Sequence, residues 1–342
     1  MPKRTKAVKM ADIAQALQVS TVTVSKALSD QSGVSEELRA KIKELAEQMG
    51  YKPLCVIKQG KTKSYNIGVL IPERYLDFYE SFYWKMYQEV TNCAMQRGCF
   101  TLLEPIGRET EENGQMPKIV TEGKVEGIIV IGRPGNSYAD VLKKNLKLPL
   151  VFLDFYASDI NMDAVISDGF YGTYLLTNYL FDHGHRNIAF VGTLLATESI
   201  TDRYLGYCKA LLEHGVSPRE DMVIADRDLT SGISKEADKI ELPAELPTAF
   251  VCNCDNTAAT IVKLVRERGF KVPGDISVVG FDNYLAPGTL DIELTTYEVD
   301  VHEMSRISVS TLIKKISGES YKKGLKIVAG RLLENESAGN RR

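Results

Sequence analysis

From Ile67 onward, short and almost unbroken apolar runs alternate with longer amphipathic segments, and this alternation constrains the fold more than any other feature. Runs of this length are typical of strands, whereas most of the segments between them have the apolar spacing of helices. Strands that are apolar throughout indicate parallel sheets covered by helices on both faces. Two such series predict two similar α/β lobes, with ligand binding at the carboxyl ends of the strands. The runs are IGVLI (67–71), FTLL (100–103), GIIVI (127–131), LVFL (150–153), IAFV (188–191), AFVC (249–252) and ISVVG (276–280).

The region before the first strand has a different pattern, that of three short helices. Its first apolar stripe is spaced three, one and three residues apart, as in a short amphipathic helix. Ser20 is a good N-cap for a second helix that runs to about Ser29, and Ser35 caps a third. The stripes are Met10, Ile13, Ala14 and Leu17 in the first helix and Leu38, Ile42, Leu45 and Met49 in the third. We therefore predict a compact three-helix head.

The formal net charge of −3 is spread unevenly along the chain. Through Tyr65 there are twelve Lys or Arg and six Asp or Glu, so this region is +6 and the remainder is −9. A small basic head on a large acidic body favours a polyanionic partner for the head. Charge alone leaves a solvated basic arm open as the alternative.

The first two helices are separated only by residues 18–20, which is the geometry of a helix-turn-helix whose second helix enters the DNA major groove. Thr21 and Val22 start that helix, where a hydroxyl and methyl groups suit base edges and thymine methyls. Ser20, Ser25 and Lys26 can reach phosphates. Geometry alone is equally consistent with an ordinary helical hairpin whose Ser and Thr side chains face solvent. The predicted DNA-binding set is Ser20, Thr21, Val22, Thr23, Ser25 and Lys26, with Val24 and Leu28 in the small core.

The segment MADIAQALQVSTVTVSKALSDQSGVSEELRAKIKELAEQMGYKP resembles the DNA-binding head of the lactose-repressor (LacI/GalR) transcription factors. It matches them at D-I-A, V-S-x-x-T-V-S-K, V-S, R-x-x-I and the closing G-Y-x-P. Further matches follow in the family's order, namely YLFDHGHRNIAFVG, RYLGY, CDNTAA, VPGDISVVGFDN and LTTYEVDVHEMS. The resemblance extends from Met10 to about Ser305.

The resemblance implies a body like that of periplasmic sugar-binding proteins, with two α/β lobes joined by three crossing segments. It also implies a homodimer that binds a palindromic operator in double-stranded DNA, and a small effector in the cleft that alters this binding. We expect a transcriptional regulator that acts as a repressor. The expected domains are the head (1–53), a hinge linker (54–66) and an effector-binding and dimerisation body (67–342), with lobes 67–164 plus 295–322 and 165–294 plus 323–342.

Two positions depart from the family's pattern. The turn residue that is usually Gly is Gln18, which predicts a left-handed backbone at a cost of about 1 kcal/mol. The family's hinge reads P-N-x-x-A-x-x-L, and its Leu wedges into the minor groove. Here Gly60 stands where that Leu would be, so the wedge is not carried over, although Val56 or Ile57 could replace it.

By the same resemblance, Arg203 in DRYLGY and Asp282 in GFDN match the family's pocket arginine and carboxylate. Asp255 and Asp154 lie at the ends of predicted strands. Carboxylates and an arginine fork suit the vicinal hydroxyls of a sugar, and an aromatic face can stack on its ring. The predicted effector is therefore a sugar or a sugar derivative. The span at 73–87 offers the aromatic face through Tyr75, Phe78 and Tyr79, while Phe82, Trp84 and Tyr87 are assigned to the core or a subunit interface.

No catalytic set is visible, so we expect neither enzyme activity nor a cofactor. The chain has four His and lacks a G-x-S-x-G, a P-loop and a G-x-G-x-x-G after a strand. Cys252 and Cys254 are interpreted as core thiols rather than metal ligands, so no metal is expected. The chain shows neither a secretory signal nor an apolar run long enough for a bilayer, which predicts a cytoplasmic protein without membrane contact. A transport-type sugar-binding protein and an α/β enzyme are the rival classes.

Overall fold

A computed structural model describes residues 10–28, 33–49, 51, 64–76, 81–135, 137–156, 162–229 and 232–341. The chain forms two compact units, residues 1–62 and 63–342, which contain the head and the body respectively. Most of the hinge linker, including Val56, Ile57 and Gly60, lies outside the described residues. The role of the hinge therefore stays a prediction.

The head contains the three predicted helices, α1 (Met10–Ala16), α2 (Thr21–Leu28) and α3 (Glu36–Gln48). In the turn between α1 and α2, Gln18 has a φ of 51°, which confirms the predicted left-handed residue. The apolar stripes of the helices meet in one small core, whose buried members are Ile13, Ala14, Val24, Ala27, Ile42 and Ala46.

The body alternates strands and helices, and each of the seven apolar runs overlaps a strand. Among the described residues, no helix is long and apolar enough to cross a bilayer. The strands are β1 (Asn66–Pro72), β2 (Phe100–Ile106), β3 (Gly127–Ile131), β4 (Leu150–Leu153), β5 (Ala164–Ser167), β6 (Ile188–Val191), β7 (Val223–Ile224), β8 (Ala249–Cys252), β9 (Ser277–Asp282), β10 (Thr295–Glu298), β11 (Leu325–Val328) and β12 (Arg331–Leu333). The helices are α4 (Phe82–Met95), α5 (Arg108–Glu112), α6 (Lys118–Thr121), α7 (Tyr138–Asn145), α8 (Gly169–Asp182), α9 (Glu198–Glu213), α10 (Asp255–Glu267) and α11 (Val301–Ser317).

The strands form two six-stranded sheets, one in each lobe. The first sheet has the order β11-β5-β4-β3-β1-β2, and all its neighbouring strands are parallel. The second has the order β12-β10-β9-β8-β6-β7 and is parallel except where β12 meets β10. Apolar clusters cover both faces of the sheets, which explains why the central strands are apolar throughout. The predicted doubly covered α/β lobes are confirmed.

The chain passes between the lobes at three crossing segments, residues 168, 299–300 and 329–330. The lobe bounds predicted from sequence differ from the sheets at these crossings. β10 belongs to the second sheet rather than the first, β11 to the first rather than the second, and β5 extends the first lobe to Ser167. Each of these strands has only four residues and lies beside a crossing, so its short pattern does not reveal which sheet it joins.

Gly206 allows α8 and α9 of the second lobe to approach closely, because a β-carbon there would lie 2.1 Å from the carbonyl oxygen of Phe170. We expect Gly206→Ala to force the helices apart and to lower the free energy of unfolding of the body by about 1–3 kcal/mol. Urea denaturation followed by circular dichroism measures this. Leu212→Ala, at an exposed position of α9, is the matched control. Equal stability of the two variants would contradict the close packing.

Candidate effector pocket and DNA-binding helix

Helix α2 presents the predicted DNA-binding residues on one side and its core residues on the other. The Ser20 hydroxyl caps the helix, because its Oγ accepts a hydrogen bond from the backbone N of Thr23 at 3.0 Å. The side-chain hydroxyls of Ser20 and Thr23 also form a hydrogen bond with each other, with 2.8 Å between their oxygens. Val22 is 61% exposed, as a base-contacting methyl group requires. Of the other members of the set, Thr21 and Ser25 are exposed and Thr23 and Lys26 are half-buried, whereas Val24 is buried as predicted.

Arg203 lies near the start of α9 and is only 7% exposed. Its Nη1 donates to the carbonyl oxygen of Asn253 at 2.6 Å, and its Cζ lies 3.9 Å from the centre of the Phe281 ring. Its Nε is buried and has no hydrogen-bond partner among the described residues. Since an unpaired buried donor costs free energy, this geometry suits an acceptor that the described part of the chain does not supply.

Asp154 follows β4 in the first lobe, where it has a φ of 66° and is 8% exposed. Burial raises the pKa of its carboxyl to about 6, against the opposing effects of the Arg203 charge and a hydrogen bond from Tyr83. Burial also raises the pKa of Tyr83 well above its usual value, so this phenol remains a donor. The rings of Tyr75 and Tyr83 lie 4.5 Å apart and together form an aromatic wall beside the carboxyl.

Asp282 and Asp255 approach the same place from the second sheet. Asp282 ends β9 with a φ of 97°, and burial and the neighbouring Asp255 carboxylate raise its pKa well above its usual range. Burial raises the pKa of Asp255 to about 7. Both Asp255 oxygens accept hydrogen bonds, from the Thr296 hydroxyl at 2.7 Å and from the backbone N of Tyr284 at 3.0 Å. Asp255 thus holds the loop that follows Asp282.

A network of buried polar side chains behind Arg203 fixes the position of Asn253. Asn253 donates from Nδ2 to the Asp226 carboxylate at 2.7 Å, and the backbone N of Thr193 donates to the same carboxylate at 2.9 Å. Burial acts to raise the pKa of Asp226, but the charge of Arg227 and these hydrogen bonds lower it to about 2. Arg227 also donates to Oδ1 of Asn253 at 2.9 Å. The carbonyl group that accepts from Arg203 is therefore held rigidly.

The two lobes touch each other across the space that contains these groups. After β3, Nη1 of Arg133 donates to the carbonyl oxygen of Ala196 at 3.0 Å and lies 3.4 Å from Oε1 of Glu198. After β4, the Tyr156 hydroxyl lies 3.1 Å from each carboxylate oxygen of Asp202. First-lobe residues at the carboxyl ends of strands thus meet the second lobe on and just before α9, which also carries Arg203.

Five of the seven predicted effector residues come together in this structure, namely Tyr75, Asp154, Arg203, Asp255 and Asp282. The charge of Arg203 acts on all three carboxyls, and that of Asp154 acts on Tyr75, so the groups lie within electrostatic reach of one another. Phe78 and Tyr79 lie outside the described residues. We call the set formed by these five residues with Tyr83, Asn253 and Phe281 the candidate effector pocket.

Sequence reasoning missed Tyr83, Asn253 and Phe281. Tyr83 stands inside the aromatic span at 73–87, but the sequence does not tell which ring turns toward Asp154. Phe281 directly precedes Asp282, and its position under the Arg203 guanidinium depends on how α9 packs beside β9. Asn253 acts through its backbone oxygen and a buried amide, for which its residue type gives no signal.

Two protein-family models match the chain, "Bacterial regulatory proteins, lacI family" over residues 9–53 and "Periplasmic binding protein-like domain" over residues 177–338. The HTH-type transcriptional repressor PurR of Glaesserella parasuis serovar 5 (strain SH0165) is 26% identical over 308 residues, covering 89% of each chain. The ribose operon repressor of Haemophilus influenzae is 25% identical over 316 residues, covering 92% of this chain and 94% of the relative.

Solved structures give the same picture of the fold. The transcriptional regulator CelR in complex with cellobiose has a TM-score of 0.68 at 21% identity and covers 97% of this chain and 100% of its own. The lac repressor dimer bound to operator and the anti-inducer ONPF has a TM-score of 0.64 at 24% identity, with coverages of 98% and 100%.

A helix-turn-helix head joined to a two-lobed, periplasmic-binding-protein-like body defines a class of proteins, the DNA-binding transcriptional regulators that respond to small-molecule effectors. This chain has both parts in that order. Its head is a LacI-family DNA-binding domain and its body a periplasmic-binding-protein-like domain, and the two relatives named above are repressors.

The raised pKa of Asp154 predicts how the stability of the body depends on pH. A carboxyl with a folded-state pKa of about 6 and an unfolded pKa of 3.8 binds its proton more tightly in the folded state. The stability that it contributes is therefore lost as the pH rises from about 4 to about 6, by roughly 3 kcal/mol. Asp154→Asn cannot titrate, and Asn also tolerates the positive φ.

We expect the free energy of unfolding of Asp154→Asn, measured relative to that of the wild type, to increase as the pH rises from 4 to 6. Above pH 6 this difference should stay constant. Thermal unfolding over this range measures the difference. Asp182→Asn, at an exposed position at the end of α8, is the control. A difference that does not change with pH would contradict the raised pKa.

Proposed function

We propose that this protein is a repressor that binds a palindromic operator as a homodimer and takes a sugar or a sugar derivative between its lobes. It acts in the cytoplasm and catalyses no reaction on the bound sugar. Residues Ser20–Lys26, apart from Val24, contact DNA. Arg203, Asp282 and Asp154 bind the effector, and Asp255 positions Asp282.

The observation that carries the effector proposal is the buried Arg203 guanidinium, whose Nε finds no hydrogen-bond partner in the part of the chain that the structure describes. Its charge acts on carboxyls from both lobes, Asp154 of the first and Asp282 of the second. A hydroxyl is both a donor and an acceptor, so adjacent sugar hydroxyls can donate to the carboxylates and accept from the guanidinium. The rings of Tyr75 and Tyr83 add a face for the apolar side of the sugar ring.

The charges favour a neutral sugar over a sugar phosphate. The charge of Arg203 acts on three carboxyls, while Arg227 is already paired with Asp226 at 2.7 Å. A phosphate would lose its hydration in a site where burial already raises the pKa values of three carboxyls, and the Arg203 guanidinium alone offers little positive charge to offset that cost. The similarity to a ribose operon repressor supports the same choice.

A ligand screen and a DNA-binding assay together test the proposed function. Thermal-shift measurements with neutral sugars, sugar phosphates and nucleobases should give the largest stabilisation with a neutral sugar. Mobility shifts on genomic fragments should show a specific complex that weakens steeply with salt and changes with that sugar. The sugar should be recovered unchanged. Turnover of the sugar would instead favour an α/β enzyme, and absence of DNA binding would favour a transport-type sugar-binding protein.

Exchange of Thr21 and Val22 tests the DNA-binding helix. Because both stand exposed at the start of α2, we expect the Thr21→Val, Val22→Thr double variant to prefer a different half-site. Lys26→Ala removes a proposed phosphate contact, so it should weaken binding to all sequences and reduce the salt dependence. Binding-site selection from a random library distinguishes the two effects. An unchanged preferred half-site in the double variant would show that these residues do not read bases.

Substitution of Arg203 or Asp282 tests the candidate effector pocket. Arg203→Ala leaves a sugar hydroxyl without its donor, and Asp282→Asn replaces one acceptor oxygen by an NH2 donor, so each should cost about 1–3 kcal/mol, or about ten- to a hundredfold in affinity. Calorimetry with the best ligand of the screen measures this, and Arg219→Ala, which removes an exposed arginine of the second lobe, is the control. Undiminished affinity in both folded variants would refute the pocket while leaving the DNA-binding proposal intact.

A further inference from the structure

Two helices of the first lobe bring together three side chains with metal-binding atoms. Glu89 and Cys93 lie on α4 and His302 lies on α11, and their ligand atoms are all within 4.8 Å of one another. Nδ1 of His302 is 2.6 Å from Oε1 of Glu89, and Sγ of Cys93 is 4.0 Å from the same oxygen. None of these residues belongs to the candidate effector pocket. We propose that the three form a binding site for a divalent cation of the zinc type.

The helices fix the position of each ligand. Glu89 and Cys93 are four residues apart, so they lie on one face of α4. His302 is the second residue of α11, whose start is fixed by the Asp300 carboxylate accepting from the backbone N of Glu303 at 2.8 Å. The two helices share one apolar core, to which α4 contributes Met86 and Val90 and α11 contributes Met304. The three ligand atoms are therefore held together by rigid secondary structure.

The mixture of ligands selects the cation. A thiolate, an imidazole and a carboxylate suit Zn²⁺, whereas Mg²⁺ and Ca²⁺ prefer oxygen ligands alone. In a tetrahedral zinc site, the bond lengths place the nitrogen and oxygen ligands ~3.3 Å apart and the sulfur ~3.5 Å from either. The observed separations of 2.6 Å and 4.0 Å, and the bound of 4.8 Å on the pair of Cys93 and His302, differ from these values by at most ~1.3 Å, which side-chain rotation covers. Binding releases the thiol proton and breaks the hydrogen bond between His302 and Glu89.

The cation can reach the site from solvent. The side chains of Glu89 and His302 are 25% and 58% exposed, and both line a groove of about 520 Å³ beside the crossing segments 299–300 and 329–330. The nearby cation Arg306 is paired with Glu303 at 2.6 Å, so its charge is balanced. Three protein ligands leave a fourth position for water, as in zinc sites that remain open to solvent.

Cobalt(II) is the probe, because its bond to a thiolate gives a charge-transfer absorption in the near ultraviolet. One equivalent of Co²⁺ added to the untagged, reduced full-length protein should produce this band, and Zn²⁺ should displace it and raise the unfolding temperature. Cys93→Ser should abolish the band, and His302→Ala should weaken Co²⁺ affinity at least about a hundredfold. Cys99→Ser and His214→Ala, which remove a cysteine and a histidine outside the site, should leave both unchanged.

Absence of the band in the wild type at one equivalent, or its persistence in Cys93→Ser, overturns the proposal. If circular dichroism shows that Cys93→Ser does not fold, Glu89→Gln and His302→Ala decide, since both change partly exposed side chains. Co²⁺ affinity equal to that of the wild type in these two variants also overturns the site. Weakened Co²⁺ affinity in both Glu89→Gln and His302→Ala, with unchanged affinity in Cys99→Ser, supports the proposed cation site.

Discussion

The buried Arg203 guanidinium and the three buried carboxyls on which its charge acts are the constraint on which the space between the lobes depends. A buried carboxylate costs several kcal/mol unless a charge or hydrogen bonds offset the loss of water. Burial raises the pKa values of three carboxyls here, Asp154, Asp255 and Asp282, and the charge of the Arg203 guanidinium offsets this only in part. The second lobe holds that guanidinium between the Phe281 ring and the Asn253 carbonyl. The guanidinium is thus held rigidly, while the buried carboxyls near it are only partly stabilised by its charge.

The sequence predicted the fold well where patterns are long, and poorly where they are short. The central strands can be recognised in the sequence because burial on both faces makes them apolar throughout, as in GIIVI of β3 and AFVC of β8. β10 and β11 have only four residues each and mix polar with apolar side chains. The path of the crossing segments between the lobes determines which sheet each of these strands joins, and that path is a property of the tertiary structure. The lobe boundaries were therefore wrong although the architecture was confirmed.

The pocket shows the same division between local and tertiary information. Asp154 could be named because residues that follow parallel strands gather at one edge of a sheet, whereas Asp282 was named chiefly because it matches the pocket carboxylate of the family that the sequence resembles. Their positive φ angles of 66° and 97° carry no such signal, since neither is a glycine. The sequence also could not tell that Asp255 uses both carboxylate oxygens to hold Tyr284 and Thr296. A strand-end carboxylate can bind a ligand or hold a loop, and only its contacts in the folded protein distinguish the two roles.

The contacts across the cleft suggest how effector binding is coupled to the position of the lobes. The direct contacts between the lobes include the polar pairs Arg133 with Ala196 and Tyr156 with Asp202 and the ring contact of Phe82 with Tyr284. Contacts that are partly exposed contribute little each, because water competes for them. A ligand that bonds to Asp154 in one lobe and Arg203 in the other gains both interactions only when the lobes are closed. Its affinity therefore differs between open and closed forms, and that difference is the free energy with which an effector shifts a conformational equilibrium.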